Sequence, residues 1–319
     1  MATRRQHTVW RNYLRAWAQD GKIWCAMDGK VFRAALMNVG QERDFYEIRD
    51  LMDSDVDIIR KTLIDAISNP IQKKAASDWL PIFQMVSKTR KHFEDMGIDA
   101  SEALRPMYIQ LEELLHSEIE RNATPLLERL LVADRFCLDG DKEYGVFVHY
   151  VMTQYFRTSR IKQNLQRGIG DLAPDGYVDR AIGVIRHICA TASAITLISS
   201  KNALRPYLVL NGSGVPFITG DQPVINIIAA KAGFDTLVDD CEFYYPLSPG
   251  KALFISRSDD YSSGWIKDSE SVKYLNRLIA RSAEKQIYAS DESEFGDCAA
   301  LVGSHLKQKS NDAVANQSH

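Results

Sequence analysis

The chain lacks the cysteine pattern of a disulfide framework or a structural zinc site. Its five cysteines are widely spaced, their number is odd, and no two of them form a Cys-x-x-Cys pair. This spacing argues against both kinds of site. The start of the sequence also shows no secretory signal pattern, so we expect a protein that acts in the reducing cytoplasm.

Long apolar runs and an excess of charge of one sign are also missing. The most apolar stretch, residues 190–199, is too short to span a bilayer, and we expect it to be part of a buried helix. The 39 Lys and Arg residues nearly balance the 42 Asp and Glu residues, which leaves a formal charge of -3. We therefore expect no membrane association, and any contact with a polyanion must be local.

Familiar catalytic motifs are absent as well. The sequence contains no Gly-rich loop ending in Lys-Ser or Lys-Thr, no His-Glu-x-x-His and no Gly-x-Ser-x-Gly. The acidic pairs at 239–240 and 259–260 have no further ligand pattern nearby, and they are typical of solvated loops. The sequence accordingly predicts neither a metal site nor a cofactor.

The chain does show a clear change of pattern along its length. Two partly alternating apolar runs surround Asp28-Gly29 and predict a β-hairpin over residues 22–36, which residues 43–48 can extend. Period-3.6 spacing then predicts a helical region of about 150 residues. The predicted helices cover residues 55–67, 77–96, 101–121, 125–136, 143–166 and 178–199, with breaks at 69–70, 99, 122–124 and 168–176.

Strand and turn character returns after residue 205. Predicted strands cover residues 207–210, 216–219, 224–228, 243–246 and 252–256, and one helix at 269–288 follows them. This order predicts an α+β fold, with a large helical block packed on a small, mostly antiparallel β region. Because each group of strands is too small to be stable alone, we expect the N-terminal and C-terminal segments to build that region together.

The predicted organisation is a single α+β domain over residues 1–295 that carries a helical insertion at about 51–200. A flexible tail is expected at 296–319, because the end of the chain is rich in Gln, Asn, Ser and Lys.

Titratable and aromatic residues are concentrated near the N-terminus. His7 is followed by Arg11 and Arg15, which alternate with aromatic residues such as Tyr13 and Trp17. One interpretation is a short helix whose aromatic residues dock on the core while the polar side chains face water. The other interpretation is that His7 belongs to a functional site.

Two further segments carry polar side chains whose direction the predicted structure would fix. Asp221 lies in a turn between two apolar strands, where it either caps the turn through backbone bonds or serves a functional site. On the helix through residue 150, steps of 100° align His149, Thr153, Arg157 and Arg160 on one face. That face either binds a phosphate or carboxylate group or is a solvated stripe.

These pieces, taken together and in order, resemble a bacterial family known as the domain of unknown function 4238. Its usual N-terminal pattern differs here at Trp10, where Pro is usual, and at Arg11, where Gln is common. The matching elements are His7, Val9, Tyr13, Leu14 and Trp17, then Phe45-Tyr46, the Gln154–Thr158 element, the Thr219–Pro223 turn, the Pro246–Pro249 strand entry and Leu275-Asn276. The resemblance implies that His7, Arg157 and Asp221 belong to one site.

Our first functional hypothesis is a metal-independent nuclease that cleaves a phosphodiester, most plausibly in RNA. His7 would act as general acid or base, Arg157 would stabilise the phosphate charge, and Asp221 would orient the imidazole. The predicted binding residues are Arg11, Arg15, Gln154, Arg160 and Gln222.

The alternative hypothesis is a non-catalytic binding or sensor subunit that recognises a partner protein or a nucleotide. Its support is the Trp, Tyr and Arg content of the N-terminal run, which is typical of interfaces. In either case we expect a role in bacterial defence against phage, with RNA, a nucleotide or another protein of the defence system as partner. The sequence does not predict an oligomeric state.

Overall fold

The protein is described by a computed structural model covering residues 5–169, 173–232, 238 and 240–303. Its helices are α1 (Arg11–Leu14), α2 (Asp53–Ile59), α3 (Pro70–Ser77), α4 (Trp79–Asp95), α5 (Ser101–Leu131), α6 (Asp141–Phe156), α7 (Ser159–Ile169), α8 (Tyr177–Ser199), α9 (Ile227–Ala232), α10 (Ser269–Ser282) and α11 (Cys298–Leu301). Its strands are β1 (Arg5–His7), β2 (Lys22–Met27), β3 (Lys30–Ala35), β4 (Gln41–Arg43), β5 (Arg205–Asn211), β6 (Thr219–Gly220), β7 (Ile225–Asn226), β8 (Phe243–Ser248), β9 (Lys251–Ser256), β10 (Trp265–Ile266) and β11 (Gln286–Ala289).

The chain divides into two compact units. To the extent that their residues are described, the first consists of Met1–Thr8, Glu42–Pro125 and Asp139–Ser200, and the second of Val9–Gln41, Leu126–Leu138 and Lys201–His319. Most of the first unit coincides with the helical insertion expected at 51–200. The sheets are small and mostly antiparallel beside extensive helix, so the predicted α+β class is confirmed.

The first unit is built around α8, which packs against α2, α3, α4 and α6. Its core contains Phe83, Val86, Val184 and Ile188. Helix α8 is long and apolar enough to cross a membrane, yet most of it is buried within the structure, as in a core helix of a soluble protein. Near the start of α2, buried Asp55 accepts two bonds from Arg180 of α8, of 2.6 and 2.8 Å.

The second unit contains two sheets, with strand orders β3-β2-β11-β6 and β10-β5-β9-β8-β7. The predicted hairpin is present as β2 and β3, which pair in antiparallel register. Strand β2 pairs next with β11, and β11 pairs with β6, both antiparallel. The expectation that the N-terminal hairpin shares a sheet with C-terminal strands is therefore confirmed within this unit.

The aromatic residues Tyr13 and Trp17 of the N-terminal run pack inside the second unit, to which residues 9–41 belong. Tyr13 and Trp17 are buried, and the Trp17 indole donates a 2.8 Å hydrogen bond to the carbonyl of Phe217. The Tyr13 hydroxyl donates to the carbonyl of Pro246 at 2.7 Å, and it lies 2.7 Å from the Thr219 hydroxyl. The docking interpretation of this run is thus correct for its aromatic residues.

Several predicted helix boundaries are wrong: α3 was not predicted, and the helix expected to reach residue 136 ends at Leu131. The break expected at 122–124 does not exist, because α5 runs through it. There Thr124 donates its hydroxyl proton to the Glu120 carbonyl, so this polar side chain is satisfied inside the helix. The helix expected over 143–166 instead stops at Phe156, where Arg157 is fixed by bonds to groups distant in sequence.

Three other expectations differ from the structure. Residues 43–48 do not extend the hairpin: β4 ends at Arg43, followed by Asp44 at a φ of 54°, a left-handed conformation that ends the strand. The strand expected at 224–228 stops at Asn226, whose side chain accepts from the Ile228 amide and starts α9. The helix expected to reach 288 ends at Ser282, because the following apolar residues form the central strand β11.

The expected tail at 296–319 is described only as far as residue 303, and that part contains the short helix α11 with buried Cys298. The remainder lies outside the described residues.

Candidate active site

Arg157 follows the last turn of α6 and is almost completely buried in the first unit. Its Nε donates to the Tyr46 hydroxyl at 2.8 Å, one terminal nitrogen donates to the His7 carbonyl at 2.6 Å, and the other pairs with Glu120. Burial opposes its charge, but Tyr46 and Glu120 raise the pKa of Arg157 above its usual value. The solvated-stripe interpretation of this helix face is therefore wrong.

His7 approaches Arg157 through its main chain. The His7 carbonyl also accepts a 3.1 Å bond from the Tyr46 hydroxyl. These two bonds hold β1 against Tyr46 and Arg157 within the first unit. The structure thus brings His7 and Arg157 together through the bond from the guanidinium to the His7 carbonyl. A catalytic role of the His7 ring stays a prediction.

Asp221 belongs to the second unit, where its carboxylate accepts three backbone hydrogen bonds. The donors are the amides of Glu284, Lys285 and Gln286, at 2.8, 2.6 and 2.9 Å. Burial raises the pKa of Asp221 from 3.8 to about 6, although these donors act in the opposite direction. These donors lie 63 to 65 residues away rather than within the turn of Asp221, so the contacts join the turn after β6 to the chain entering β11. A functional role of Asp221 stays a prediction.

The predicted binding residues have varied surroundings. Arg11 and Arg15 are exposed, and Arg15 donates to the Asn12 side chain at 3.0 Å. Gln154 and Arg160 are buried in the first unit. The side-chain oxygen of Gln154 accepts a long 3.4 Å bond from Arg157. Gln222 is buried in the second unit, with its amide donating to the Val224 carbonyl at 2.8 Å.

The most concentrated polar chemistry of the first unit lies elsewhere, between α5 and α8. Glu112 and His116 stand four residues apart on α5, and Arg186 and His187 are neighbours on α8. All four are only 1–2% exposed. We call these four residues the buried cluster.

The groups of the buried cluster lie close together. His116 Nε2 is 3.5 Å from Glu112 Oε1, and Arg186 approaches the same oxygen at 3.7 Å. The two imidazole rings stack with centroids 5.0 Å apart. Burial lowers the pKa of both histidines well below the usual value, so their rings are neutral near pH 7.

Several polar atoms of the buried cluster have no hydrogen-bond partner within the described protein. They are both ring nitrogens of His116 and His187, all three guanidinium nitrogens of Arg186, and Oε1 of Glu112. Buried polar atoms are nearly always hydrogen-bonded, because losing water without compensation is costly. Such a concentration at one place is typical of a site that binds a polar ligand.

Aromatic rings enclose the buried cluster. Trp79 stacks on His187 at 4.4 Å, and the Trp79 indole is fixed by a 2.8 Å bond to the Thr191 hydroxyl. Phe45 lies over Arg186, with the guanidinium carbon 4.5 Å from the ring centroid, and Tyr46 lies 4.8 Å from the His116 ring. Both of these residues belong to the segment 44–52, which has no regular secondary structure.

A surface cavity of about 520 Å³ opens beside this segment. Its lining includes Glu47, Arg49, Arg90, Arg105 and Tyr108. Tyr108 precedes Glu112 by four residues on α5, which corresponds to an axial distance of about 6 Å. One lining residue of the cavity therefore stands one helical turn before Glu112 on α5.

Sequence reasoning missed the buried cluster because it predicted residues 101–121 only as a helix and residues 190–199 only as part of a buried helix. Two signals could have found it. Glu112 and His116 have the spacing that places two side chains on one helix face, and Arg186-His187 is a polar pair within a long apolar pattern. Neither signal shows by itself that the two pairs meet.

Comparison with protein families matches the chain to the model described as "Protein of unknown function (DUF4238)", over residues 5–173 and 182–293. The matched residues include Glu112, His116, Arg186 and His187 as well as His7, Arg157 and Asp221. No curated protein and no solved structure matches the chain. The resemblance inferred from short motifs is therefore confirmed, and the chain belongs to the DUF4238 family.

Proposed function

We propose that the protein is a phosphodiester hydrolase, most plausibly a ribonuclease, whose reacting groups are those of the buried cluster. The observation that carries this proposal is the guanidinium of Arg186, which has no hydrogen-bond partner in the described protein although it lies next to Glu112 and two histidines. The proposal keeps the reaction class expected from the sequence. It assigns the reaction to the buried cluster instead of to His7, Arg157 and Asp221.

The residue types of the buried cluster suit a phosphate group. Arginine offers a planar, charged fork of donors that matches the oxygens of a phosphate, and its unpartnered nitrogens supply those donors here. In a site shielded from water, such a charge stabilises the negative charge that develops on phosphate oxygens during hydrolysis. Uncharged imidazole rings can accept a proton or bind a cation.

Access to the buried cluster requires movement of the segment 44–52. This segment is irregular, and it places Phe45 over Arg186 and Tyr46 against His116. The neighbouring cavity presents the exposed side chains of Arg49 and Arg105, which can contact phosphates, beside the carboxylates of Glu47, Asp50 and Glu102. The cavity is therefore mixed in charge, and the proposal rests on the buried cluster rather than on this cavity.

The test is hydrolysis of a fluorogenic RNA and of bis(p-nitrophenyl) phosphate by the full chain. Arg186→Lys keeps the charge but removes the fork, so it should lower kcat/KM by about 100-fold. The matched control is Arg121→Lys at an exposed ion pair, which should leave kcat/KM unchanged. Circular dichroism and melting curves establish that each variant is folded.

A second pair of variants separates the two candidate centres. If the predicted trio reacts, His7→Ala together with Asp221→Ala should abolish hydrolysis in a folded protein. If the buried cluster reacts, Arg186→Lys should lower kcat/KM, whereas the folded double variant should keep it. Folded wild-type protein that hydrolyses no phosphodiester, with or without divalent ions, would refute the proposal and favour the non-catalytic binding subunit.

We further propose that the protein acts in the bacterial cytoplasm in defence against phage. All five cysteines are free thiols in the structure, as expected for a reducing compartment. Plaque counts on bacteria that carry an empty vector, the wild-type chain or Arg186→Lys test this role, and equal counts for the empty vector and the wild type would contradict it.

A further inference from the structure

We infer that Glu112, His116 and His187 form a binding site for one divalent transition-metal ion, with Zn²⁺ as the first candidate. Each residue offers one ligand atom, and the three atoms all lie within 4.8 Å of one another. The sequence predicted no metal site, because these ligands come from helices that are separated by about 50 residues.

The distances fit a metal centre after small side-chain movements. Zinc bonds to imidazole nitrogen and carboxylate oxygen are about 2.0–2.2 Å long, which places neighbouring ligand atoms about 3.5 Å apart. His116 Nε2 and Glu112 Oε1 already have a separation of 3.5 Å. Three protein ligands also leave a coordination position for water or substrate, as in catalytic zinc sites.

The three converging groups can all act as ligands of a cation. In the tautomer that leaves the converging nitrogen unprotonated, each imidazole offers a lone pair, as the Glu112 carboxylate does. The atoms concerned have no hydrogen-bond partner in the described protein. A divalent ion satisfies all three at once.

The ligand types indicate which class of ion binds. Two imidazoles and one carboxylate suit zinc, manganese or iron, whereas magnesium and calcium prefer oxygen ligands. The ring planes are held by packing, since Trp79 stacks on His187 and Tyr46 contacts His116. This packing limits the rearrangement that binding requires.

The charge of Arg186 indicates which kind of substrate would bind next to the ion. Its guanidinium approaches Glu112 at 3.7 Å, so arginine and metal ion would share one carboxylate and leave an excess of positive charge. A bound phosphodiester, which carries one negative charge, reduces that excess. This catalytic use of the ion rests on the proposed function, whereas metal binding itself rests on the geometry alone.

The experiment measures metal binding by the full chain, separately from hydrolysis. Protein is stripped with a chelator, dialysed and titrated with ZnCl₂ by calorimetry, and its metal content is measured by mass spectrometry. We expect one equivalent of zinc. His116→Ala and His187→Ala should each weaken binding by more than about 100-fold, because even loss of an outer partner of a ligand costs 10–100-fold.

The matched control is His92→Ala on α4, since His92 is exposed and should not affect binding. Glu112→Gln keeps the size of the side chain, so it serves as a further variant if a histidine variant does not fold. Substitution by Co²⁺ gives a visible absorption spectrum that should be present in the wild type and absent from Glu112→Gln. Lack of zinc binding by the wild type, or equal binding by the cluster variants, would overturn the inference.

The two proposals fail in different ways. Zinc binding that depends on the buried cluster, without any phosphodiester hydrolysis, would keep the metal site and refute the proposed function. Hydrolysis that needs Arg186 in a protein that binds no metal would keep the function and refute the metal site.

Discussion

Glu112 and His116 lie one turn apart on α5, with Oε1 and Nε2 3.5 Å from each other and both side chains 2% exposed. A pair of this kind on a helix surface is unremarkable, but here both residues face the interior. Across from them α8 adds Arg186 and His187, so the first unit encloses polar groups where most helical units place apolar ones. Because this arrangement costs stability, it is more easily understood as a site than as part of the core.

The ion pair between Arg157 and Glu120 should be important for stability. Both residues are buried, so Arg157→Met leaves a carboxylate without its partner and should lower the free energy of unfolding by about 3–5 kcal/mol. Urea denaturation followed by circular dichroism measures the change. Adding Glu120→Gln should recover part of the loss, whereas Arg121→Ala at an exposed pair should cost less than about 1 kcal/mol.

Asp221 should make the protein less stable as pH rises from 4 to 7. Its pKa is raised from 3.8 to about 6, so the folded state holds the proton more tightly than the unfolded state does. Its contribution is therefore most favourable below pH 4 and is lost as pH rises through 6. Measured against Asp221→Asn, the loss should be at most about 3 kcal/mol, since one pKa unit is worth about 1.4 kcal/mol.

The two proteins should be compared by urea denaturation at pH 4, 5, 6 and 7. A difference between them that stays constant over this range would show that Asp221 does not carry the predicted shift. Because Asn cannot accept all three backbone hydrogen bonds, the variant should be less stable at every pH.

Deletion of residues 1–20 should unfold the second unit rather than merely shorten the chain. The deletion removes Tyr13 and Trp17, whose buried rings bond to Thr219, Pro246 and Phe217. Tyr13→Phe, which removes only the hydroxyl, should cost about 1–3 kcal/mol because it leaves a buried carbonyl without its donor. Arg11→Ala is the control, since this side chain is exposed. A soluble truncation that melts cooperatively with unchanged helix content would show that the run is peripheral.

Phe45→Ala should expose Arg186 to reagents in solution. The Phe45 ring lies 4.5 Å from the guanidinium carbon, and the segment that carries it has no regular structure. Phenylglyoxal, which modifies accessible arginines, should label Arg186 slowly in the wild type and faster in the variant, as mass spectrometry can measure. Exposed Arg121 provides the internal reference. Equal labelling of Arg186 in both proteins would mean that Phe45 does not control access to the buried cluster.

Local pattern allowed much of the fold to be predicted. The hairpin of β2 and β3 follows from two alternating runs around a turn dipeptide, and α8 follows from sustained apolar spacing. Helix ends were predicted less well, because they depend on distant partners. Arg157 ends α6 where its side chain meets Tyr46 and Glu120, and no signal near residue 157 indicates those contacts.

The candidate site likewise depends partly on local sequence pattern and partly on contacts between distant residues. The sequence by itself determined the family, through short motifs in a fixed order, and the α+β class, through the alternation of strand and helix patterns. Tertiary structure alone decided that Glu112 and His116 meet Arg186 and His187, and that Asp221 is engaged by backbone amides. The physical reason is that spacing places residues on a face of one helix, whereas the packing of different helices selects which faces meet and which polar groups lose their water.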